Sequence, residues 1–317
     1  ELLLPEESGY LEPDHNEETY QITQKEIVDA VDIATAKKYF QLNLDYGPYK
    51  LDYFRNGRNL LIGGRRGHVA AIDWVTKDLL CEFNVQESVH AVKWLHMPTM
   101  FAVAQKDWVH IYDNKGTQLH CLKKLYRVCH LDFLPYHFLL VSASDNGFLS
   151  WLDVSIGQMI ANFKTKKTSI TSMKQNPYNG VVATSHPNGT VCLWSPNQQE
   201  PLVNMLCHET GVRDLAFDPH GQYLATIGAD RKFRIWDARN YKCLKNYKLS
   251  HIPNNVEISQ QNLTSISMGK VVEIYNNCFT QDVESPYLRH RFNSAISAVK
   301  FCNYEDILGV GQETGFT

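Results

Sequence analysis

No stretch of this 317-residue chain approaches the roughly 18 consecutive apolar residues needed to span a bilayer. No secretory signal pattern opens it, and it starts without Met, so it reads as a fragment of a soluble intracellular protein. The eight cysteines, Cys81, Cys121, Cys129, Cys192, Cys207, Cys243, Cys278 and Cys302, form no C-x-x-C pair and no dense framework. That scatter suits a reducing compartment in which thiols pack as small hydrophobes. Metal-ligand spacings are missing: there is no H-E-x-x-H, no paired-cysteine site and no Asp-rich calcium loop. G-x-S-x-G is absent as well. The glycines of Gly63-Gly64-Arg65-Arg66-Gly67-His68 lack the Lys-Ser/Thr of a phosphate loop and open no helix. Neither a metal, a cofactor nor a small-molecule substrate is therefore expected. A large excess of either charge is lacking too. With 31 Lys and Arg against 34 Asp and Glu, the net charge is −3, and any contact with RNA must come from a local patch.

What the chain does have is a period. A β-rich run ending in a large apolar residue and then Asp, or a substitute, recurs as VAAID, VHIYD, LSWLD, VCLWS, FRIWD and VEIYN. The large residues are Ile72, Tyr112, Leu152, Trp194, Trp236 and Tyr275, spaced by 40, 40, 42, 42 and 39 residues. Upstream of each lies an alternating run, a tight turn and a small-residue apolar run, from YKLDYFRNG–NLLIGG to ISAVKFCNYE–DILGVG, and this phrase occurs seven times. Four strands per forty residues is the WD-repeat period. Asn-Gly and Asp-Pro-His-Gly supply the backbone conformations that tight hairpins demand. Apolar middle strands are expected where neighbouring sheets cover both faces. The reading is an all-β, seven-bladed WD-repeat β-propeller over residues 46–317, preceded by an extension at 1–45.

The extension begins acidic and irregular over residues 1–22. A helix is expected over about 24–40, opened by the capping box Thr23-x-x-Glu26, with Ile27, Val28 and Val31 packing on the propeller or docking a partner. At the other end Gly315 corresponds to Gly189, which precedes Trp194 by five residues, so the chain stops inside the third strand of a truncated last blade. The run Phe40 to Asp45 (FQLNLD) is the candidate for that blade's outer strand, tying the N-terminus to the last blade.

In the fifth unit His208, Thr226, Asp230 and Trp236 stand where WD repeats place a hydrogen-bonded chain that ties a blade together. The spacing argues for a structural staple, not a catalytic triad. Asn188 with Trp194 and Asn146 with Leu152 are read as decayed copies. Propeller enzymes need acid–base or metal groups converging on the axis, and no such set assembles here, so the chain is not expected to be an enzyme. The sequons at Asn188 and Asn262 carry no meaning in an intracellular protein.

In such blades the turns between second and third strands open on the same face as the inter-blade connections. That rule places Arg65, Arg66, Lys106 and Arg231 in turns, and Arg127, Lys164, Lys166, Lys167, Arg289 and Arg291 in or near connections. A nearly neutral protein then presents a basic ring suited to phosphates or an acidic partner. Tyr126 and His290 are candidates to stack on bases. A rival reading rests on Trp236-Asp237-Ala238-Arg239, the W-D-x-R box of WD-repeat substrate receptors of cullin ubiquitin ligases.

Several stretches go beyond a generic propeller: ELLLPEESGYLE, EIVDAVDIATAKKYF, GPYKLDYFRNGRNLLIGGRRGHVAAIDW, KQNPYNGVV with NGTVCLWSP, and PYLRHRF with EDILGVGQETG. Together they run through almost the whole chain, which resembles the nucleolar WD-repeat family of the small-subunit processome that carries a BING-type C-terminal domain. The resemblance implies a non-catalytic assembly factor in the nucleolus, acting with the U-three small nucleolar ribonucleoprotein on the precursor of small-subunit ribosomal RNA. It implies other processome proteins, WD-repeat factors among them, and pre-ribosomal or U-three RNA as partners, with a C-terminal domain following the propeller. The Arg65–Arg66 hairpin is the first place to expect contact.

Overall fold

The forty-residue period folds into seven four-stranded antiparallel sheets in the computed structural model, which describes residues 11, 13, 17–167, 169–305 and 307–317. Most of the acidic opening segment, including nearly all of ELLLPEESGYLE, lies outside the described residues, as do Thr168 and Asp306. In six blades four consecutive strands pair with their sequence neighbours, innermost to outermost. The innermost strands are Tyr49–Tyr53, Ala91–Trp94, Val128–Leu134, Ser172–Gln175, Val212–Phe217, Asn255–Ile258 and, in the seventh blade, Ile296–Phe301. Second strands such as Leu139–Ser144 are buried at every position, because sheets cover them on both sides.

The seventh blade is assembled from both ends of the sequence. Ile296–Phe301, Leu308–Gln312 and Gly315–Phe316 are followed, as outer strand, by Leu42–Asn43. Leu42 pairs with Phe316 and Asn43 with Gly315, inside the FQLNLD run where that strand was expected. Gly315 has φ +144°, and a Cβ there would overlap the Leu42 carbonyl oxygen, so the crossing of the two ends requires glycine. Phe40 packs on Phe316 at 5.7 Å between ring centroids.

The core is not one mass but seven seams, one between each pair of neighbouring blades. Seam 3/4 holds eleven buried residues, among them Trp151, Trp194, Leu149 and Met173. Seam 7/1 joins Tyr49, Tyr53, Trp74, Ala298 and Phe316, with Phe40, Leu42 and Leu44 from the extension packed against it. Seam 6/7 is the thinnest, with Val272, Ile296, Val299 and Val310 alone buried.

The single helix expected over 24–40 is two short ones, α1 (Gln24–Ala30) and α2 (Ile33–Ala36). The capping box holds: Thr23 accepts from the Glu26 N–H, and Glu26 accepts from that of Thr23. The break falls at Val31, whose backbone is extended, followed by Asp32 at the cap of α2. Ile27, Val28 and Val31 face the propeller across a groove of about 330 Å³ that also meets Val272, Ile274 and Val310 over seam 6/7.

Candidate nucleic-acid and partner interface

Blade 5 fixes which polar groups are structural. His208 is buried, with Nδ1 3.0 Å from the Asp230 carboxylate and Nε2 3.0 Å from the Thr226 hydroxyl, which also accepts from the Trp236 indole N–H at 3.0 Å. Burial lowers the His208 pKa more than Asp230 raises it, favouring a neutral imidazole. Gly228 lies so close that a Cβ would strike the His208 ring. In blade 4 the expected copy is built differently: the Trp194 indole donates to Thr184, which meets the His186 ring, while Asn188 accepts from Thr190 within its own turn. His186, in the turn itself, supplies the ring beside Thr184 that His208 supplies in blade 5. All eight cysteines are free, and burial pushes the Cys207 thiol up to about 12, far from reactive. Among the described residues no group of three His, Cys, Asp or Glu is arranged to hold a metal, and no helix is long and apolar enough to cross a membrane.

On the face where second-to-third-strand turns open, the Arg65–Arg66 hairpin is held by its backbone. The Arg65 N–H donates to Pro48, the Arg66 N–H to Tyr46, and the Arg65 carbonyl accepts from Val89. Both side chains are left exposed. Arg127, Lys166 and Arg231 take left-handed backbone conformations (φ 49°, 53° and 58°), which glycine or asparagine adopts at lower cost. Of the ten basic residues expected on this face, nine have no ion-pair partner among the described residues. Arg289 is the tenth. It lies in the outer strand Leu288–Arg291 and pairs with Glu273 at 3.2 Å, so it belongs to the side of blade 6. Lys164 lies over the Phe148 ring, and Lys167 donates to Asn204 of the next blade at 3.2 Å. Tyr126 is half exposed, whereas His290 packs edge-on to Phe292 and lines the groove under the extension. Acidic residues interrupt the ring: Glu87, Asp107, Asp145 and Glu313 lie in the same turns and connections.

The shaft on the axis escaped sequence reading. At one level the seven innermost strands present Asp52, Lys93, Asp132, Lys174, Ala216, Glu257 and Lys300, as their pairing with the second strands shows. Charge alternates around this ring. Lys93 bridges Asp52 at 3.3 Å and Asp132 at 3.0 Å, Lys300 also pairs with Asp52, and Lys174 reaches past Ala216 to Glu257 at 2.6 Å. Burial alone would raise the Asp52 pKa, but Lys300 and Lys93 outweigh it and hold the carboxyl below the usual range. Asp52 and Asp132 also accept the backbone N–H of Trp94 and Gln175 in the next blade, and Asp214 that of Val256. The signal was a two-blade period: Asp52, Asp132 and Asp214 are 80 and 82 residues apart.

Above the ring the balance tips. Lys50, His130 and Arg213 line the same shaft, with His90. Among the described residues Lys50 has a backbone carbonyl partner, that of Ser297 at 3.3 Å, but no carboxylate, and exposed Arg213 has no ion pair. Burial, then Lys50, pulls the His130 pKa to about 4.

Seven four-stranded blades, a His–Thr–Trp staple and a face built of turns define a WD-repeat β-propeller, a class of binding platforms. The family model for the WD domain, G-beta repeat, matches residues 157–195 and 199–237, and that for the BING4CT (NUC141) domain matches 286–317. Along its whole length the chain is a homologue of WD repeat-containing protein 46 of Homo sapiens, at 49% identity, and of Caenorhabditis elegans, at 46%. It is likewise a homologue of the U3 small nucleolar RNA-associated protein 7 of Saccharomyces cerevisiae, at 42% identity. It spans 53%, 55% and 61% of those proteins' lengths, about half to three-fifths. The BING-type match corrects one expectation: that domain does not simply follow the propeller, since its matching part supplies the outer strand of blade 6 and three strands of blade 7. The cullin-receptor reading finds no support. Trp236 is consumed by the staple, and Asp237 caps its own turn by accepting from the Arg239 N–H at 2.8 Å.

Proposed function

We propose that this propeller is the non-catalytic scaffold of a small-subunit processome factor, acting in the nucleolus on pre-ribosomal RNA through protein and RNA contacts. The observation that carries the reading is the extent of the likeness. Identity of 42% to a U3 small nucleolar RNA-associated protein covers the entire chain, whereas the match to eukaryotic translation initiation factor 3 subunit I, at 29% identity, covers 29% of it. Shared WD architecture alone yields the second kind of match. The unpaired cations of the turn face, Arg65, Arg66, Lys106, Arg127 and Arg231 first, are the surface assigned to phosphates and acidic partners, since uncompensated Lys and Arg release counterions on binding a phosphate backbone. Two tests apply. The full-length protein, tagged in cells, is expected to co-sediment with large pre-ribosomal particles, and ultraviolet crosslinking is expected to recover small-subunit precursor or U-three RNA. A protein found only free of such particles overturns the assembly role. Crosslinks no better than an untagged control, with co-sedimentation intact, leave a scaffold that contacts proteins alone.

A further inference from the structure

The shaft holds two tiers of opposite character. In the lower tier three lysines face three carboxylates and every charge has a partner. In the upper tier Lys50 and Arg213 have no carboxylate partner among the described residues, and Arg65 at the rim adds to the positive potential that Lys50 feels. Arg65 and Arg127 act in the same sense on His90. The acid that acts most on Lys50, Asp214, forms no ion pair with it and holds its carboxylate in hydrogen bonds from the Ser172 hydroxyl and the N–H groups of Leu215 and Val256. Confinement in the shaft, then Lys174 and Arg65, pull Lys50 below the usual lysine range against the opposing pull of Asp214, as expected of an ammonium short of a counter-charge. Cations left unpaired in a polar, water-accessible shaft, directly above a ring in which every charge is paired, are arranged for an anion from outside the chain.

We propose that the upper shaft is an anion site that takes the carboxylate of a single acidic side chain carried on a loop of a partner protein, with Lys50 and Arg213 as its direct ligands. A side chain enters a shaft end-on and alone. An RNA backbone must both enter and leave, and the turn face offers its phosphates Arg65, Arg66, Lys106, Arg127 and Arg231 outside the shaft. One carboxylate reaches the shaft cations alone and gains charge-assisted hydrogen bonds. The site does not depend on the assembly role: loss of pre-ribosomal association would leave the shaft chemistry untouched, and the binding test below needs no other processome component.

The probe is a fluorescein-labelled seven-residue Gly/Ser peptide with one central Glu, titrated onto the purified chain by anisotropy. The same peptide with Gln and a ten-nucleotide oligouridylate serve as comparisons. The Glu peptide is expected to bind at least fivefold more tightly than the Gln peptide. The discrimination is expected to vanish in K50M/R213M, which keeps the aliphatic stems, and to survive in R66A/R231A on the rim. Melting temperature of each variant is measured in parallel, and should K50M/R213M lose stability the exposed R213A variant carries the test. Equal binding of Glu and Gln peptides by the unaltered protein overturns the proposal. So does a tenfold loss of oligouridylate binding in K50M/R213M with no loss of Glu-peptide discrimination, which would assign the shaft to phosphate.

Discussion

Seams 3/4 and 6/7 are built on the same plan and filled very differently. At seam 3/4 two indoles, Trp151 and Trp194, bracket Phe163, with centroids 5.1 and 5.6 Å from its ring, inside a cluster of eleven buried residues. At seam 6/7 four buried residues, three of them valine, do the same work, and half-buried Ile274, Phe292 and Leu308 edge the groove beneath the helical extension. Buried apolar area sets the strength of each joint, at roughly 25 cal/mol per Å². Hence the ring is not uniformly stable: opening is expected at seam 6/7, next to the blade that both chain ends must complete.

The largest effect should come from emptying the strong seam. Trp151→Ala removes a wholly buried indole and is expected to cost about 3–5 kcal/mol in chemical denaturation. Val310→Ala at the weak seam should cost about 2 kcal/mol. Amide exchange sharpens the contrast: Val271–Asn276 and Ile296–Phe301 should exchange faster than Leu139–Ser144 and Val182–Ser185, and equal protection would refute the ranking of seams.

Acid should act next. His208, His130, His90, His110 and His290 all have folded pKa values lowered chiefly by burial, His130 to about 4. The unfolded chain, with histidines near 6.5, therefore binds more protons than the folded one below neutrality. Stability is complete above that value and declines as pH falls through the folded values. Melting is expected at a lower temperature at pH 5 than at pH 7, and His208→Gln should reduce that difference in calorimetry. The smallest stability effect belongs to the turn face. R65E/R66E alters exposed side chains, should change stability by about 0.5 kcal/mol or less, and should still weaken RNA retention and flatten its salt dependence.

How far the residues alone reveal this molecule depends on the distance over which each pattern repeats. Blades were legible because Ile72, Tyr112, Leu152, Trp194, Trp236 and Tyr275 recur every 39 to 42 residues, and His208 with the hairpin that holds Thr226, Asp230 and Trp236 carries the complete staple in the sequence. Even the outer strand at Leu42 was readable, from alternating Phe40, Leu42 and Leu44. The basic turn residues followed from topology alone. Arg289 and Arg291, expected in or near a connection, both lie in the outer strand Leu288–Arg291, because a strand end and a connection look alike in sequence. The shaft ring was hidden for a different reason: Asp52, Lys93, Asp132 and Lys174 each look like an ordinary polar position in an alternating strand. Their relation appears only when seven strands are brought edge-in around one axis. Asp214 obscured it further, because it stands at the inward position of blade 5 that His130 takes in blade 3, one step away from the ring level held by Ala216.

The pairing of Leu42 with Phe316 has a consequence for synthesis. The outer strand of the last blade leaves the ribosome 274 residues before its partner. At the ordinary translation rate of about 5–20 residues per second, the interval is on the order of 14–55 seconds. Throughout that time six blades can form while Phe40, Leu42 and Leu44 have no sheet to join. The nascent chain thus carries an apolar tether awaiting its partner until the ring can close.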